Sequence, residues 1–251
     1  MPTNLHLTIY TQLPDRQKVG EGMHVTKDYV IGTHNDPGLL AIAKGQSLID
    51  DSAAKKTIEI LLDDMEVNLS ATQTGLGRAK PGSFVKQCAQ ESVDNINEYL
   101  HFQFAKNQLS AQDAHTSLAL IQFFEGHFGY VIMGGFSCLL LRQGELKALG
   151  LASDSSCSLG EKASFEKLSE SIPAQLGDIL VMAQKRDIHT IGMDYLRTTL
   201  SRFPNDIDRA LRQINTLVAR NKIDNEPGIV IARVDEQVIN KRSWVDKLRN
   251  R

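Results

Sequence analysis

The residues in this 251-residue chain best suited to carry chemistry are three cysteines, seven histidines and a pair of glycines at phosphate-loop spacing. Cys88, Cys138 and Cys157 are odd in number and show no CxxC spacing, which excludes a disulfide framework or a cysteine-built zinc site and points to a reducing compartment. His6, His24, His34, His101, His115, His127 and His189 show no HxxxH or comparable ligand spacing, so none is assigned chemistry. Gly77 and Gly82 in Gly77–Ser83 stand at the Walker interval, but the lysine that would reach a phosphate is missing and no strand feeds the segment. It reads as an exposed connection. At the other end, Lys241–Arg251 holds five basic residues and one acid around Trp244, Val245 and Leu248. Such a segment is either a docking helix for a partner or acidic surface, or a solvated helix with its apolar side on the body.

The elements that would position such groups follow from composition and periodicity. A chain with 41% hydrophobic and 23% charged residues can bury a sizeable core, and its formal net charge of −2 argues against a generally basic nucleic-acid binder. No basic-then-apolar leader occupies Met1–Thr11, and the longest uncharged stretch, Phe128–Leu141, is too short to span a bilayer and is broken by Gly134 and Gly135. A cytoplasmic location without membrane partners is therefore expected. Leu5, Leu7 and Ile9 alternate with polar residues as in a half-buried strand, a second strand is expected at Tyr29–Gly32, and the run Leu39–Ala43 suits a strand buried on both faces. Helices are expected after a cap at Asp50 or Asp51, over Ser83–Phe104, and from Ile207 to Val218. From Thr116 the period becomes that of sheet, giving an antiparallel meander of Ser117–Phe124, Phe128–Met133, Cys138–Arg142 and Leu146–Leu149. Strands at Ile179–Ala183 and Ile229–Val234 follow. Helices segregated from about ten strands predict an α+β fold of four layers, an α-β-β-α sandwich with two stacked, mainly antiparallel sheets. One domain over residues 1–240 and a basic C-terminal segment, 241–251, account for the length.

Six landmarks, taken in order, resemble the metal-dependent protein serine/threonine phosphatases of type 2C. Thr26-Lys27-Asp28-Tyr29 is similar to the family's opening acidic triplet. Leu40-Ala41-Ile42-Ala43-Lys44-Gly45, leading to Ser52-Ala53-Ala54, resembles the strand that ends in Ala-Asp-Gly before a small-residue helix. His115-Thr116-Ser117 resembles Gly-Thr-Thr. Gly134-Gly135-Phe136-Ser137, followed by Leu139–Leu141 and Arg142-Gln143-Gly144-Glu145-Leu146, resembles Gly-Asp-Ser-Arg and its Arg-x-Gly-x-Leu sequel. Gly177-Asp178, Ile179–Ala183 and Gln184-Lys185-Arg186 resemble Gly-Asp, an apolar strand and Ser-Asp-Gly. Asp224-Asn225 stands where the family has Asp-Asn before its last strand.

The resemblance implies the family's sandwich, and its departures imply an altered site. Relatives of this kind hold two divalent cations with a cluster of aspartates and activate a bridging water. Here Lys44, Gly135 and Lys185 stand where three of those acids belong, the phosphate-clamping arginine corresponds to Met23 or His24, and Asp28 and Asp224 are the residual metal candidates. The implied cleft comprises Asp28, Lys44, Gly45, Gly135, Lys185, Arg186, Asp224 and Asn225, with no metal expected and no catalytic residue. Each Asp-to-Lys exchange adds two positive units, so the two lysines together match the charge of two lost divalent ions. Their ammonium groups either replace the metals internally, paired with Asp28 and Asp224, or swing into solvent. The reading that results is a pseudophosphatase, a binding or regulatory module for a phosphoprotein, a kinase or an active phosphatase. Two alternatives stand beside it. One is an active Mn- or Mg-dependent phosphatase rebuilt on Asp28 and Asp224, with Asp187, otherwise a turn carboxylate, as a further candidate ligand. The other is a structural subunit of a complex.

Overall fold

Alternating side chains decide the layering. In the computed structural model, which describes residues 5–11, 17–18, 22–25, 30–35, 38–45, 53–73, 80–108, 116–149, 158–163, 169–220 and 228–236, successive residues of the central strands enter different cores. Strand β5 (Gly38–Gly45) sends Leu40 and Ile42 to one side and Leu39, Ala41 and Ala43 to the other. A continuous apolar run is what a strand covered on both faces requires. The same two-sided pattern holds in β6 (Thr116–Phe124), β7 (His127–Met133), β8 (Phe136–Arg142) and β11 (Ile179–Gln184).

Three cores result. The middle one lies between two sheets and includes Leu7, Phe128, Tyr130, Phe136, Leu180 and Val230. A second lies between the larger sheet and helices α1 (Ala53–Gln73) and α2 (Pro81–Lys106), the third between the smaller sheet and α3 (Lys185–Ile191), α4 (Met193–Arg202) and α5 (Ile207–Arg220). The seven-stranded sheet runs β10 (Ser169–Pro173), β7, β6, β5, β4 (Val30–Asn35), β3 (Met23–Val25), β2 (Gln17–Lys18). The five-stranded sheet runs β1 (Leu5–Thr11), β12 (Val230–Glu236), β11, β8, β9 (Glu145–Leu149). All pairings within both sheets are antiparallel. The four-layer α-β-β-α sandwich expected from the sequence is the observed fold.

Several local expectations change. The stretch from Ser117 to Leu149 is two hairpins, β6–β7 in the larger sheet and β8–β9 in the smaller, with the chain crossing between sheets at Gly134-Gly135. Gly134 has φ +66, and a Cβ there would lie 2.3 Å from Ser117 Oγ, so the crossing needs glycine on both counts. Helix α2 starts earlier than Ser83, at Pro81, the first-turn position where a missing N–H costs nothing. Part of the phosphate-loop-like segment is thus the first turn of a helix, with Gly82 packed against His127 and Ser171. The short strands β2, β3 and β10 and helices α3 and α4 had no strong sequence signal.

One ion pair fastens the smaller sheet to the turn that feeds β11. Arg142 Nε donates to Asp178 Oδ1 at 2.8 Å and Nη2 to Oδ2 at 2.6 Å, while Nη2 also reaches the Pro173 carbonyl at 2.8 Å. Asp178 Oδ2 accepts a further bond from the Gln175 N–H at 2.7 Å. The pair raises the Arg142 pKa, chiefly through that side-chain hydrogen bond.

Candidate functional site

The C-terminal end of β5, the start of β6, the inter-sheet crossing and the end of β11 meet at one end of the sandwich. Lys44 and Gly45 pair with Ser117 and Thr116 across the β5–β6 ladder. The N–H of Gly135 donates to Ser117 Oγ at 3.3 Å, and the N–H of Lys185 donates to the Gly135 carbonyl at 2.8 Å. One ladder pair and two hydrogen bonds therefore connect Lys44 in the larger sheet to Lys185, the first residue of α3 after β11 of the smaller sheet. Ser117 is the joint, a role sequence reasoning did not give it, although it belongs to the His115-Thr116-Ser117 landmark.

Local packing fixes this end tightly at some positions and loosely at others. A Cβ on Gly45 would meet Thr116 Oγ1 at 2.8 Å and the Ala54 backbone nitrogen at 3.1 Å, so β5 is pressed against the start of α1. Thr116 is buried, its Oγ1 has no hydrogen-bond partner among the described residues, and its carbonyl accepts from the Leu159 N–H at 2.8 Å. The 158–163 segment docked there is held on α2 by Asn97, which accepts from the Gly160 N–H at 2.8 Å and donates to the Lys162 carbonyl at 2.9 Å. A Cβ on Gly135, by contrast, would meet nothing within 4 Å among the described residues. Gly135→Asp is accordingly expected to change stability by no more than about 0.5 kcal/mol, as substitutions on open surface do. Thermal denaturation checks this, and a large fall in Tm would show that the position is not open.

The charges at this end are mixed. Lys44 is half-buried and engaged in an interaction of its own; Lys185 and Arg186 are exposed on the first turn of α3. The expectation of two internal ammonium groups therefore does not extend to Lys185, whose charge faces solvent. Asp187 is buried in the first turn of α3 rather than in a turn, and its Oδ1 lies 3.4 Å from Arg186 Nε. Asp28, Asp224 and Asn225 lie outside the described residues, as do Cys157, His115 and the whole of 241–251.

Hard divalent cations take several oxygen ligands, and no group of three or more His, Cys, Asp or Glu side chains among the described residues could hold a metal ion. Elsewhere, Cys88 and Cys138 are buried thiols in the cores; burial pushes Cys88 up to about 11 and Cys138 up further. Both are expected to react with a thiol reagent at pH 8 far more slowly in the folded protein than after unfolding, because the thiolate is the nucleophile; equal rates would contradict their burial. No helix among the described residues is long and apolar enough to cross a membrane.

No protein-family model and no curated protein matches the sequence. Solved structures do. The serine/threonine phosphatase PstP/Ppp of Mycobacterium tuberculosis superposes with a TM-score of 0.63 at 16% identity, covering 92% of this chain and 99% of that one. The catalytic domain of PstP in complex with two manganese ions gives a TM-score of 0.65 at 16% identity over 93% of this chain and 100% of that one. PppA, a key regulatory component of T6SS in Pseudomonas aeruginosa, gives 0.65 at 15% identity over 92% and 97%. At such identities the likeness establishes the serine/threonine phosphatase fold over nearly the full length of both chains.

Proposed function

We propose that the chain is a catalytically silent relative of the type 2C phosphatases, a pseudophosphatase that acts as a cytoplasmic protein-binding or regulatory module. The observation that carries this reading is the connected set Lys44, Ser117, Gly135 and Lys185: a glycine and two lysines gathered at one end of the sandwich, at positions whose landmarks resemble metal-binding aspartates. Ammonium groups repel divalent cations, and glycine offers no carboxylate to a metal or to its bound water.

The same groups suit retention of phosphate without its cleavage. Lys44, Lys185 and Arg186 supply cationic donors, and charge-assisted hydrogen bonds to phosphate oxygens are among the stronger polar contacts available. Without a metal-activated water the bound phosphoryl group meets no nucleophile. The partner is then a phosphoprotein, a kinase or an active phosphatase, and neither nucleic acid nor a membrane is required. Asp28, Gly45, Asp224 and Asn225 complete the proposed cleft, and Asp28 and Asp224 are its residual acids.

Calorimetric titration with Mn²⁺ and Mg²⁺, combined with hydrolysis of a generic phosphate ester on the same samples, tests the reading. Neither metal binding nor turnover is expected. Tight binding with metal-dependent turnover would overturn the proposal in favour of a site rebuilt on Asp28, Asp187 and Asp224. Lys185→Glu should weaken binding of a phosphoserine peptide by about tenfold, the effect of roughly 1.4 kcal/mol of lost charge-assisted contact. An unchanged affinity would remove Lys185 from the binding surface.

A further inference from the structure

Among the described residues strand β9 forms one edge of the five-stranded sheet, and Glu145, Lys147 and Ala148 are exposed along it. The link from β8 is a two-residue turn in which Gln143 and Gly144 have φ +53 and +80, the geometry of a type I′ hairpin. In such a hairpin the flanking residues, Arg142 and Glu145, exchange hydrogen bonds, and the alternation continues at Leu140 and Lys147. The N–H and C=O of Leu146 and Ala148 therefore point away from β8, toward the open edge. Beside them lies a shallow groove of about 370 Å³ between β9 and the start of α4, lined by Glu145, Leu146, Lys147, Met193, Asp194 and Arg197. Met193 is a large apolar side chain left exposed there.

An antiparallel strand added at this edge must set outward-pointing residues opposite one another. If the added strand is β9 of a second copy, the two-fold axis can pass through Leu146, Lys147 or Ala148. An axis at Lys147 puts the two lysines face to face, which like charges oppose. An axis at Ala148 sets Lys147 against Leu149 and leaves Glu145 beyond the paired strand. An axis at Leu146 sets Glu145 of each copy opposite Lys147 of the other. These are non-hydrogen-bonded positions, where opposing side chains come closest. Within one chain Lys147 Nζ already lies 2.7 Å from Glu145 Oε2, so the two-fold would build a square of alternating charges from two existing pairs. Leu146 would meet its counterpart next to the Met193 side of the groove.

The geometry points to a homodimer joined edge to edge through β9 in the register centred on Leu146, with Glu145–Lys147 pairs crossing the two-fold axis. A lysine on an edge strand ordinarily discourages further pairing. In this register it meets a carboxylate, so charge selects one partner and one alignment. The ladder is short, which fits a reversible dimer whose population rises with concentration. The inference rests on the sheet edge alone and does not depend on the reading of the cleft.

Sedimentation velocity on the full chain from about 1 μM to about 0.5 mM tests it, the range in which weak dimers form and dissociate. Dimer is expected to accumulate across that range. Lys147→Glu, at an exposed position, should leave the melting temperature intact and raise the dissociation constant about tenfold or more, since it gathers four carboxylates about the axis. The exchange Glu145→Lys with Lys147→Glu should restore dimerisation. A chain that stays monomeric throughout, a dimer indifferent to Lys147→Glu, or a double variant that fails to recover would each overturn the proposed interface.

Discussion

Gly129→Ala is expected to lower stability by about 3 kcal/mol, at the upper end of what overpacking a well-filled contact costs. A Cβ at Gly129 would sit 2.6 Å from the Val85 carbonyl oxygen, 2.8 Å from its carbon and 3.1 Å from the Lys86 nitrogen. All three are backbone atoms of α2, so no rotamer change relieves the clash and the helix must lift off β7. That contact seals the core containing Ala89, Val93 and Val131. For a chain of this size about 3 kcal/mol corresponds to a fall in Tm of roughly 6–12 °C. Valine should cost more than alanine, and Gly135→Ala, where nothing among the described residues lies within 4 Å, should cost little. Thermal melts of the three variants supply the comparison; a Gly129→Ala protein that melts with the wild type would show that α2 shifts freely on the sheet.

The second large effect is expected at Asp178, whose side chain is 1% exposed. Asp178→Ala strips three hydrogen bonds at once, two from the Arg142 guanidinium and one from the Gln175 N–H. Removing one member of a buried pair typically costs about 3–5 kcal/mol. Arg142 is 28% exposed and regains some hydration, which places the expected loss near the lower figure, about 3 kcal/mol. Arg142→Ala should cost at least as much, because it leaves the buried carboxylate without its countercharge, with the Gln175 N–H still donating to it. In a double-mutant cycle the two changes should be clearly non-additive, with about 1 kcal/mol or more of coupling. Full additivity in denaturant unfolding would mean that the pair does not act as a unit.

What the sequence disclosed depended on how strongly a segment's neighbours constrained it. Strand β1 was legible because Leu5, Leu7 and Ile9 face the middle core while His6, Thr8 and Tyr10 on the other face are polar and only half-buried, leaving the alternation visible. Strands β5 and β11 were legible as uninterrupted apolar runs between turn residues, and α5 through its period of three and four. The change of sheet at Gly134-Gly135 left no comparable mark: β7 and β8 are both apolar on both faces, so two hairpins in two sheets read like one meander. Strand β10, Ser-Glu-Ser-Ile-Pro, owes its conformation to pairing with β7 and not to its own residues. At the candidate site, Lys44, Gly135 and Lys185 could be named from their landmarks. Ser117 as their connector could not, since its role arises only when the two sheets stack.

The position of β12 bears on how the polypeptide reaches this fold. Of the described strands β12 is the last to be synthesised, yet it lies inside the five-stranded sheet, between β1 and β11. Among the described strands β1 is the earliest, and it has no neighbour in that sheet until residues 230–236 have emerged from the ribosome. The β6–β7 hairpin and the helices beside it can associate earlier from contacts closer along the chain. Closing the smaller sheet joins residues more than two hundred positions apart, a loop-closure cost that slows folding and leaves the apolar row of β1 waiting on synthesis. The smaller sheet is thus expected to close by a single late insertion, one strand entering between two others that have been held apart for want of it.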